Sequence, residues 1–587
     1  MRKTAKRLID EINLPDGIKS LNHEQLDKLC VEIRGIIIDA ISQNGGHLSS
    51  NLGIVELTVA MHRVFDFKED VVVWDVGHQS YAHKILTGRK DLFHTVRRYK
   101  GISGFPKREE SAYDFFNTGH SSTAISAAYG YAKAKTMRKE KGTCIAVVGD
   151  GAMAGGMSFE ALNDAGSYQD DLLVILNDNE MSISKNVGSL PRYLERIREK
   201  SIYAKTNKRV KSLVERIPWI GKWLRDSIHR LKGAIKYYYT REALFEEFGF
   251  RYYGPVDGHD VKALVKILES IKIVPGPKLL HVITKKGKGY EKAECQPQQY
   301  HGVGKFDVLN GVDSNGIGKT FSEVTGELLT GHADLDPDVV VVCPAMAIGA
   351  GLTPFCEKYP ERFFDVGIAE QHAVTFAAGM ACQSLKPVVV MYSSFMQRAY
   401  DQMLHDVCLM NLHVVFCVDR AGIVPCDGET HQGIYDLAYL GHMPNLEIFA
   451  PSNRKDYEAF LSHGLYKAKG PVAIRYPKES CREEQWEELD PFKARILRNG
   501  EHITLISYGR ILHECMKAAL LLEEQGIRCA VIDLRCLKPL DLATIGEIAP
   551  ETTHMICFED SIRESGCGEK IGYYLKEHHP HVADMGC

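Results

Sequence analysis

Short apolar, β-branched runs alternate with longer helical patterns along almost the whole chain. VVVWDVG (71–77), TCIAVVGD (143–150) and DLLVILND (171–178) are nearly continuous apolar runs of strand length, and KLLHVIT (278–284) is a fourth. A sheet with one wet face would alternate polar and apolar residues, so these runs predict a parallel sheet covered on both faces. Helix-period segments such as SSTAISAAYGYAKAKTMRKE (121–140) lie between them. The rhythm restarts near Gly318. DVVVVCPAM, RFFDVGIA, KPVVVMYS and LHVVFCVD predict strands between about 338 and 419, with a helix over EQHAVTFAAGMACQSL (370–385). A third block begins near Asn499, with strands in ITLISYG, RCAVIDLR and HMICFED. Charge, Gly and Pro interrupt the pattern around 305–317 and 485–500, as linkers do. The expected fold is therefore α/β, with three domains that each carry a mostly parallel sheet flanked by helices. Their expected bounds are 1–315, 316–492 and 493–587.

Composition narrows the function class. The 587 residues are 44% hydrophobic and 25% charged, as in soluble globular proteins. A net charge of −4 gives no bulk attraction to nucleic acid or anionic lipid. No apolar run approaches the roughly 18–20 residues of a membrane span. The N-terminal stretch MRKTAKRLIDEINLPDGIKSL lacks the apolar core of a signal peptide. The 16 cysteines form no CxxC pair and no zinc-like spacing, so they read as reduced thiols and the expected location is cytoplasmic.

One segment departs from this balance. From Lys185 to Arg241 there are 16 basic residues against four acidic ones. A basic amphipathic helix there could meet a membrane or nucleic acid. Because the rest of the chain is not basic, the expectation is a mobile, partly helical surface insertion, with neither membrane nor nucleic acid as partner.

The candidate chemistry begins at GDGAMAGGM (149–157) and LNDNEMSIS (176–184). Parallel α/β sheets bind ligands at the carboxyl ends of their strands. Asp150 ends one predicted strand and Asn179 follows the next. Gly149 and Gly151 let the backbone approach a ligand. The hard-oxygen pair of Asp150 and Asn179 suits Mg²⁺, which takes few protein ligands and completes its shell with phosphate and water. No phosphate-loop or dinucleotide-binding signature is present, so the diphosphate belongs to something other than ATP or NAD.

Further motifs follow in order: NGGHLSSNLGIVELT (44–58), WDVGHQSYAHKILTGR (74–89), NTGHSSTAIS (117–126), KKGKGY and YHGVGKFD (285–307), FFDVGIAEQHAV (363–374), YSSFMQRAYDQ (392–402) and DRAGIVPCDGETHQGIYDLAYL (419–440). Over nearly its whole length the chain closely resembles the 1-deoxy-D-xylulose-5-phosphate synthase family of transketolase-like enzymes. The resemblance implies thiamine diphosphate with Mg²⁺, and condensation of pyruvate with glyceraldehyde 3-phosphate with loss of carbon dioxide. That reaction opens the non-mevalonate isoprenoid route and feeds thiamine and pyridoxal synthesis. It also implies a homodimer.

Residue by residue, the resemblance implies these roles. Glu370 meets the aminopyrimidine ring and promotes ionisation of the cofactor. His47 and His301 are proton-transfer residues. His78, Gly119, His120, Ser121, Gly151, Ala152, Asn179, Lys286 and Tyr290 contact the cofactor. Asp150, Asn179 and the Met181 carbonyl hold the metal. Tyr392, Arg398, Arg420, Asp427, His431 and Arg475 form the acceptor site, with Asp427 and His431 also close to the chemistry. Spacing alone would make Glu370 a helix-dipole contact, the histidines structural and the arginines ion-paired. Pro425 and Cys426 stand where the family usually has small residues, so the loop presenting Asp427 is stiffened. Ala350 stands where Thr or Cys is common. The chain stops at HHPHVADMGC, and the expectation is that the third block lacks its last strand and helix. The alternative reading is a transketolase that moves a two-carbon ketol unit between sugar phosphates. FMQRAYDQ and the long insertion between Asn179 and Lys285 favour the synthase.

Overall fold

The computed structural model describes residues 7–181, 187–199, 243–312, 318–425, 427–484, 486–487, 490–582 and 584–586. They form two compact units, divided between residues 313 and 314.

The first unit is built on five parallel strands: β1 (Val71–Trp74), β2 (Cys144–Gly149), β3 (Leu172–Asp178), β4 (Arg251–Asp257) and β5 (Lys278–Ile283), in the order β1-β2-β3-β5-β4. Val71 lies opposite Cys144, and Cys144 opposite Leu172. Side chains of one parity therefore share a face. Val71, Val73, Cys144, Ala146, Val148, Leu172, Val174 and Leu176 feed one core. Val72, Trp74, Ile145, Val147, Leu173 and Ile175 feed the other. Both faces are dry, which is why these strands read as continuous apolar runs. Strand β4 was not legible in that way. It is an edge strand interrupted at Gly254–Pro255, with a register shift between Tyr253 and Val256 and alternating exposure. The helix Val261–Lys272 follows it. Asp260 caps its first turn through the Ala263 N–H at 2.9 Å. It buries Val261, Leu264, Val265, Leu268 and Ile271 as a helical stripe.

Of the basic segment, residues 187–199 are described, and 189–199 are helical. Leu190, Leu194 and Ile197 are buried in the core of the first unit. The apolar face of this portion is thus engaged by the protein itself. The rest of the segment lies outside the described residues.

The second unit has two sheets. The first contains β6 (Val339–Cys343), β7 (Phe363–Asp365), β8 (Lys386–Tyr392), β9 (Val415–Asp419), β10 (Glu447–Phe449) and β11 (Val472–Arg475). The second contains β12 (Arg495–Arg498), β13 (His502–Ser507) and β14 (Cys529–Asp533). The next strand, β15 (Cys536–Lys538), returns to the first sheet, while β16 (Thr552–Phe558) and β17 (Asp584–Gly586) continue the second. The orders are β15-β10-β11-β9-β8-β6-β7 and β12-β14-β13-β16-β17. All pairings are parallel except those of β15 with β10 and β12 with β14. Two findings differ from the sequence reading. Strand β15 follows RCAVIDLR in sequence but completes the preceding sheet. Strand β17 adds an edge to β16, with Met585 opposite Met555, beyond the last strand predicted.

The two sheets of this unit share one core and a buried charge network. Asp456, in the first turn of the helix Arg454–Tyr466, accepts from Arg495 at 2.8 and 3.0 Å and from Arg535 at 3.1 Å. Asp533 meets Arg495 at 3.3 Å. All four residues are buried. Removing one partner strands the other charges in low dielectric. Asp456→Ala should lower the unfolding free energy by about 3–5 kcal/mol. A urea midpoint within experimental error of wild type would refute this network as a fastening of the two sheets.

Candidate active site

In the first unit four adjacent strands, β1, β2, β3 and β5, present their carboxyl ends side by side. After β1 come Asp75, Val76, Gly77 and His78. The Asp75 carboxylate accepts the N–H groups of Ser122 at 2.8 Å and Ala124 at 3.0 Å. It thereby fastens the loop carrying Gly119, His120 and Ser121 to the end of β1. Gly77 has φ of +82°, and a Cβ there would lie 2.3 Å from Thr118 Oγ1. Only glycine fits between the two loops.

Asp150 opens a short helix directly after β2, and Gly151 and Ala152 follow it into the interior. Beyond β3, Asn179 is half-buried, and its Oδ1 has no hydrogen-bond partner among the described residues. Glu180 stands at φ +67°, and Met181 comes next. Lys286, two residues beyond Thr284 at the end of β5, is buried. Burial and the neighbouring Asp178 carboxylate push the Asp150 carboxyl up to about 8. Burial draws the Lys286 ammonium down to about 8, against the pull of Asp150. Both groups are driven towards their neutral forms. A hard cation beside Asp150 and Asn179, and a phosphate beside Lys286, would favour the charged forms of both groups. The donor set fits a Mg-diphosphate group.

Three of the predicted histidines converge. The His47, His78 and His301 rings form a triangle with centroid separations of 5.4, 5.2 and 5.7 Å, and Phe105 lies edge-on to His47 at 5.6 Å. Burial, then Lys286 and His78, push the His301 imidazole well below its ordinary value. His301 is therefore a neutral imidazole able to exchange a proton. His120 lies on the loop fastened by Asp75. Tyr290 has its hydroxyl on the Val308 carbonyl at 2.9 Å and its ring against Tyr300 and Phe306. That side chain is committed to packing.

In the second unit Glu370 opens the helix Glu370–Cys382 and is only 4% exposed. Burial pushes its carboxyl up, against the opposing Arg398 guanidinium. Its Oε2 has no hydrogen-bond partner among the described residues. Burial thus favours the neutral form of this carboxyl. Arg398 lies on a single tight turn, Gln397–Ala399, and a wide π-turn over Met403–Cys408 comes after it.

The acceptor candidates separate into two sets. Arg420, at φ +55° after β9, lies over the Tyr392 ring at 4.0 Å and pairs with Asp427 at 2.9 Å. Lys478 reaches the same carboxylate at 2.9 Å. Phe395 stacks on Tyr392 and meets His431 edge-on, both at 5.5 Å. Tyr392, Arg420, Asp427 and His431 therefore form one cluster. Pro425 precedes it, and Cys426 lies outside the described residues. Arg475 is different. It is buried, with Asp436 at 3.1 and 3.2 Å and Asp560 at 3.0 Å. Two carboxylates already take its guanidinium.

Family models match three stretches of the chain: 1-deoxy-D-xylulose-5-phosphate synthase over residues 9–284, the transketolase pyrimidine-binding domain over 318–484 and the transketolase C-terminal domain over 492–585. A Carboxydothermus hydrogenoformans protein named 1-deoxy-D-xylulose-5-phosphate synthase is 49% identical over 97% of this chain and 92% of its own. One of the same name from Desulforudis audaxviator is 47% identical over 96% of this chain and 89% of its own. The chain belongs to the 1-deoxy-D-xylulose-5-phosphate synthase family. A solved transketolase from Campylobacter jejuni aligns over 96% of this chain and 95% of its own, at 17% identity and a TM-score of 0.40, too remote to add to this.

For this synthase-family chain the sequence reading missed several residues around the site. Asn51, fully buried, donates to the His47 and His78 carbonyls, both at 2.6 Å, and accepts the Tyr81 N–H at 2.9 Å. Its place in HLSSNLG was the only signal. Asp178 accepts from His281 Nε2 at 2.9 Å and from Arg198 at 2.5 Å, and His281 Nδ1 meets Tyr252 OH at 2.8 Å. Asp178 sits inside the quoted motif, but its partners are distant in sequence. Lys478 was hidden in YPKES for the same reason.

The raised Asp150 pKa has a sign that can be tested. The unfolded carboxyl ionises near 3.8 and the folded one near 8, so the folded state holds the extra proton between them. Without metal, this group's contribution to stability should fall as pH rises across that window. Asp150→Asn should flatten that slope and, at about pH 8, stabilise the metal-free protein by on the order of a few kcal/mol. It should also abolish Mg²⁺-dependent stabilisation by thiamine diphosphate. Urea midpoints in chelator at several pH values measure the slope, and parallel slopes for the two proteins would contradict it.

Proposed function

We propose that the protein condenses pyruvate with glyceraldehyde 3-phosphate, with loss of carbon dioxide, to give 1-deoxy-D-xylulose 5-phosphate. The observation that carries this reading is the synthase-specific match over residues 9–284. That stretch includes the strand ends bearing Asp150, Asn179 and His78, and the turn between two helices that carries His47. Transketolase activity is the more distant alternative, because the relatives that align over nearly the whole chain bear the synthase name.

Thiamine diphosphate, when bound, supplies the carbanion-stabilising chemistry. Asp150, Asn179 and the Met181 carbonyl would hold Mg²⁺. Lys286, the loop Gly119–Ser121, Gly151, Ala152 and His78 would hold the cofactor's diphosphate end. Tyr290 serves this set through packing. Glu370, whose carboxyl burial pushes up, would bear on the aminopyrimidine nitrogen and hold its proton there. His47 and His301 would move protons at the reacting carbons. Arg420 and Lys478 would bind the acceptor's phosphate, with Arg398 and Tyr392 beside them and His431 and Asp427 at its hydroxyl end. Arg475 supports that site from within, through Asp436 and Asp560.

Three domains divided near 315 and 492 belong to this reading, supported by three separate sheets and three family matches. So do a homodimer, which rests on the family resemblance, and a cytoplasmic location, which rests on the reading of the cysteines as reduced thiols. No helix among the described residues is long and apolar enough to cross a membrane.

The deciding experiment is release of labelled carbon dioxide from carboxyl-labelled pyruvate, dependent on the triose phosphate, Mg²⁺ and thiamine diphosphate. Turnover of xylulose 5-phosphate with ribose 5-phosphate, and none with pyruvate, would overturn the reading. Glu370→Ala should cut turnover at least about 100-fold, as losing a general acid–base does. Circular dichroism should remain native, and near-normal turnover would remove Glu370 from its role. Lys478→Ala should raise the KM for glyceraldehyde 3-phosphate roughly tenfold while leaving that for pyruvate unchanged. Equal effects on both substrates would refute the phosphate assignment.

A further inference from the structure

His259 lies in the turn between β4 and the helix Val261–Lys272 and has three defined contacts. Its backbone N–H donates to Asp257 Oδ1 at 2.9 Å. Its Nδ1 is 3.1 Å from Glu56 Oε2. Its Nε2 receives the backbone N–H of Lys285 at 2.8 Å. An amide N–H can only donate, so Nε2 is the acceptor and the ring proton sits on Nδ1, facing Glu56. The contacts therefore select one neutral tautomer.

The partners of the ring are themselves fixed. Glu56 is 6% exposed, and Arg34 reaches the same Oε2 at 2.5 Å while also donating to the Leu52 carbonyl. Burial pushes the Glu56 carboxyl up, but His259 and Arg34 outweigh it and hold it below its ordinary value. Lys285 opens the KKGKGY loop, and its ammonium pairs with Glu294. This loop lies hard against the helix Ser49–Gly53: a Cβ on Gly53 would come within 2.9 Å of the Lys285 carbonyl. The Gly287 N–H donates to the Ser49 carbonyl at 2.8 Å. Lys285 and Gly287 are thus pinned on either side of Lys286, whose buried ammonium interacts with Asp150.

We propose that His259 is a positioning residue that fixes the backbone around Lys286 and so sets the affinity for the cofactor's diphosphate. The proposal rests on the assignment of Lys286 to the cofactor under Proposed function. Its chemistry is tautomeric. Protonation turns Nε2 from acceptor into donor and sets it head-on against the Lys285 N–H, so the pin is lost. The charged groups facing the ring are Glu56 and Arg34 from two helices, Asp257 on its own turn and Lys285 across the seam.

The test is calorimetric titration of thiamine diphosphate into the full chain at saturating Mg²⁺, between about pH 5.5 and about pH 8, across the ordinary imidazole range. His259→Ala leaves an amide without its acceptor and should raise Kd about tenfold at the upper end. In His259→Gln the amide Oε1 can accept the Lys285 N–H and does not titrate, so Kd there should stay within about threefold of wild type. Taking the ratio of variant to wild type cancels the cofactor's own titration. Towards the acid end that ratio should shift several-fold in favour of Gln. A His259→Ala protein that binds as wild type does, or a Gln ratio independent of pH, overturns the proposal. Should the Ala variant fail to fold by circular dichroism, the pH dependence of the Gln ratio decides alone. Wild-type protein that does not bind thiamine diphosphate would sink the assignment of Lys286, and the proposal with it.

Discussion

Burying a carboxyl and an ammonium beyond the ends of β2 and β5, the two parallel strands that flank β3, is the constraint around which the first unit is organised. Asp150 and Lys286 sit where the two dry cores flanking the sheet exclude water. Neither is comfortable as an ion there, and the Asp178 carboxylate worsens the position of Asp150. Such an arrangement persists only if the surrounding backbone is over-determined. Asp75 spans two loops, Asn51 gathers two carbonyls and the Lys285–Gly287 stretch is pinned at both ends. A metal-diphosphate group at these residues, as proposed above, would relieve that electrostatic cost.

The second unit uses the same physics with different groups. Glu370 is buried at a helix start, and that burial pushes its carboxyl up, against the pull of Arg398. Nearby in that unit, left-handed backbone at Ala345 after β6 and Arg420 after β9 turns the chain sharply at strand ends. Val76 and Glu180 do so after β1 and β3. These non-glycine residues at positive φ fall at the ends of strands that carry the candidate chemistry, where a sharp change of direction presents side chains outward from the sheet.

Much of this was legible in sequence, for identifiable reasons. Strands buried on both faces announce themselves as apolar runs, and most of the longer strands of all three sheets did so. The edge strands β1 and β7 were legible as well, whereas β4, β10, β11, β12, β15 and β17 were not. Strand β4 alternates and contains Pro255, while β10, β12, β15 and β17 are only three or four residues long. The polar residues of the site were legible where a motif sits at a strand end, as with Asp150, Asn179 and Glu370. They were illegible where the partner is remote: 103 residues separate Asp178 from His281, and 51 separate Asp427 from Lys478. The sequence pattern identifies which strand ends are chemical; only the packed chain brings the second group to them.

Charge balance sorts the arginines that sequence could not. Arg475 was grouped with Arg420 by motif, yet it meets two buried carboxylates, so its charge is more than neutralised inside the protein. Arg495 and Arg535 are matched by Asp456 and Asp533 in the same way. These networks are locally closed, and a ligand anion would have to displace a carboxylate already desolvated in place, at high cost. Asp427 is placed differently. Arg420 and Lys478 converge on one carboxylate, both partly exposed, with an aromatic ring beneath the guanidinium. Buried Asp419 also faces both cations, so the group is close to balanced, but the Asp427 carboxylate lies where water still reaches it. Exchange of that partly exposed carboxylate for a phosphate would cost less desolvation than at Arg475, so the proposed acceptor-phosphate role falls to Arg420 and Lys478 and not to Arg475.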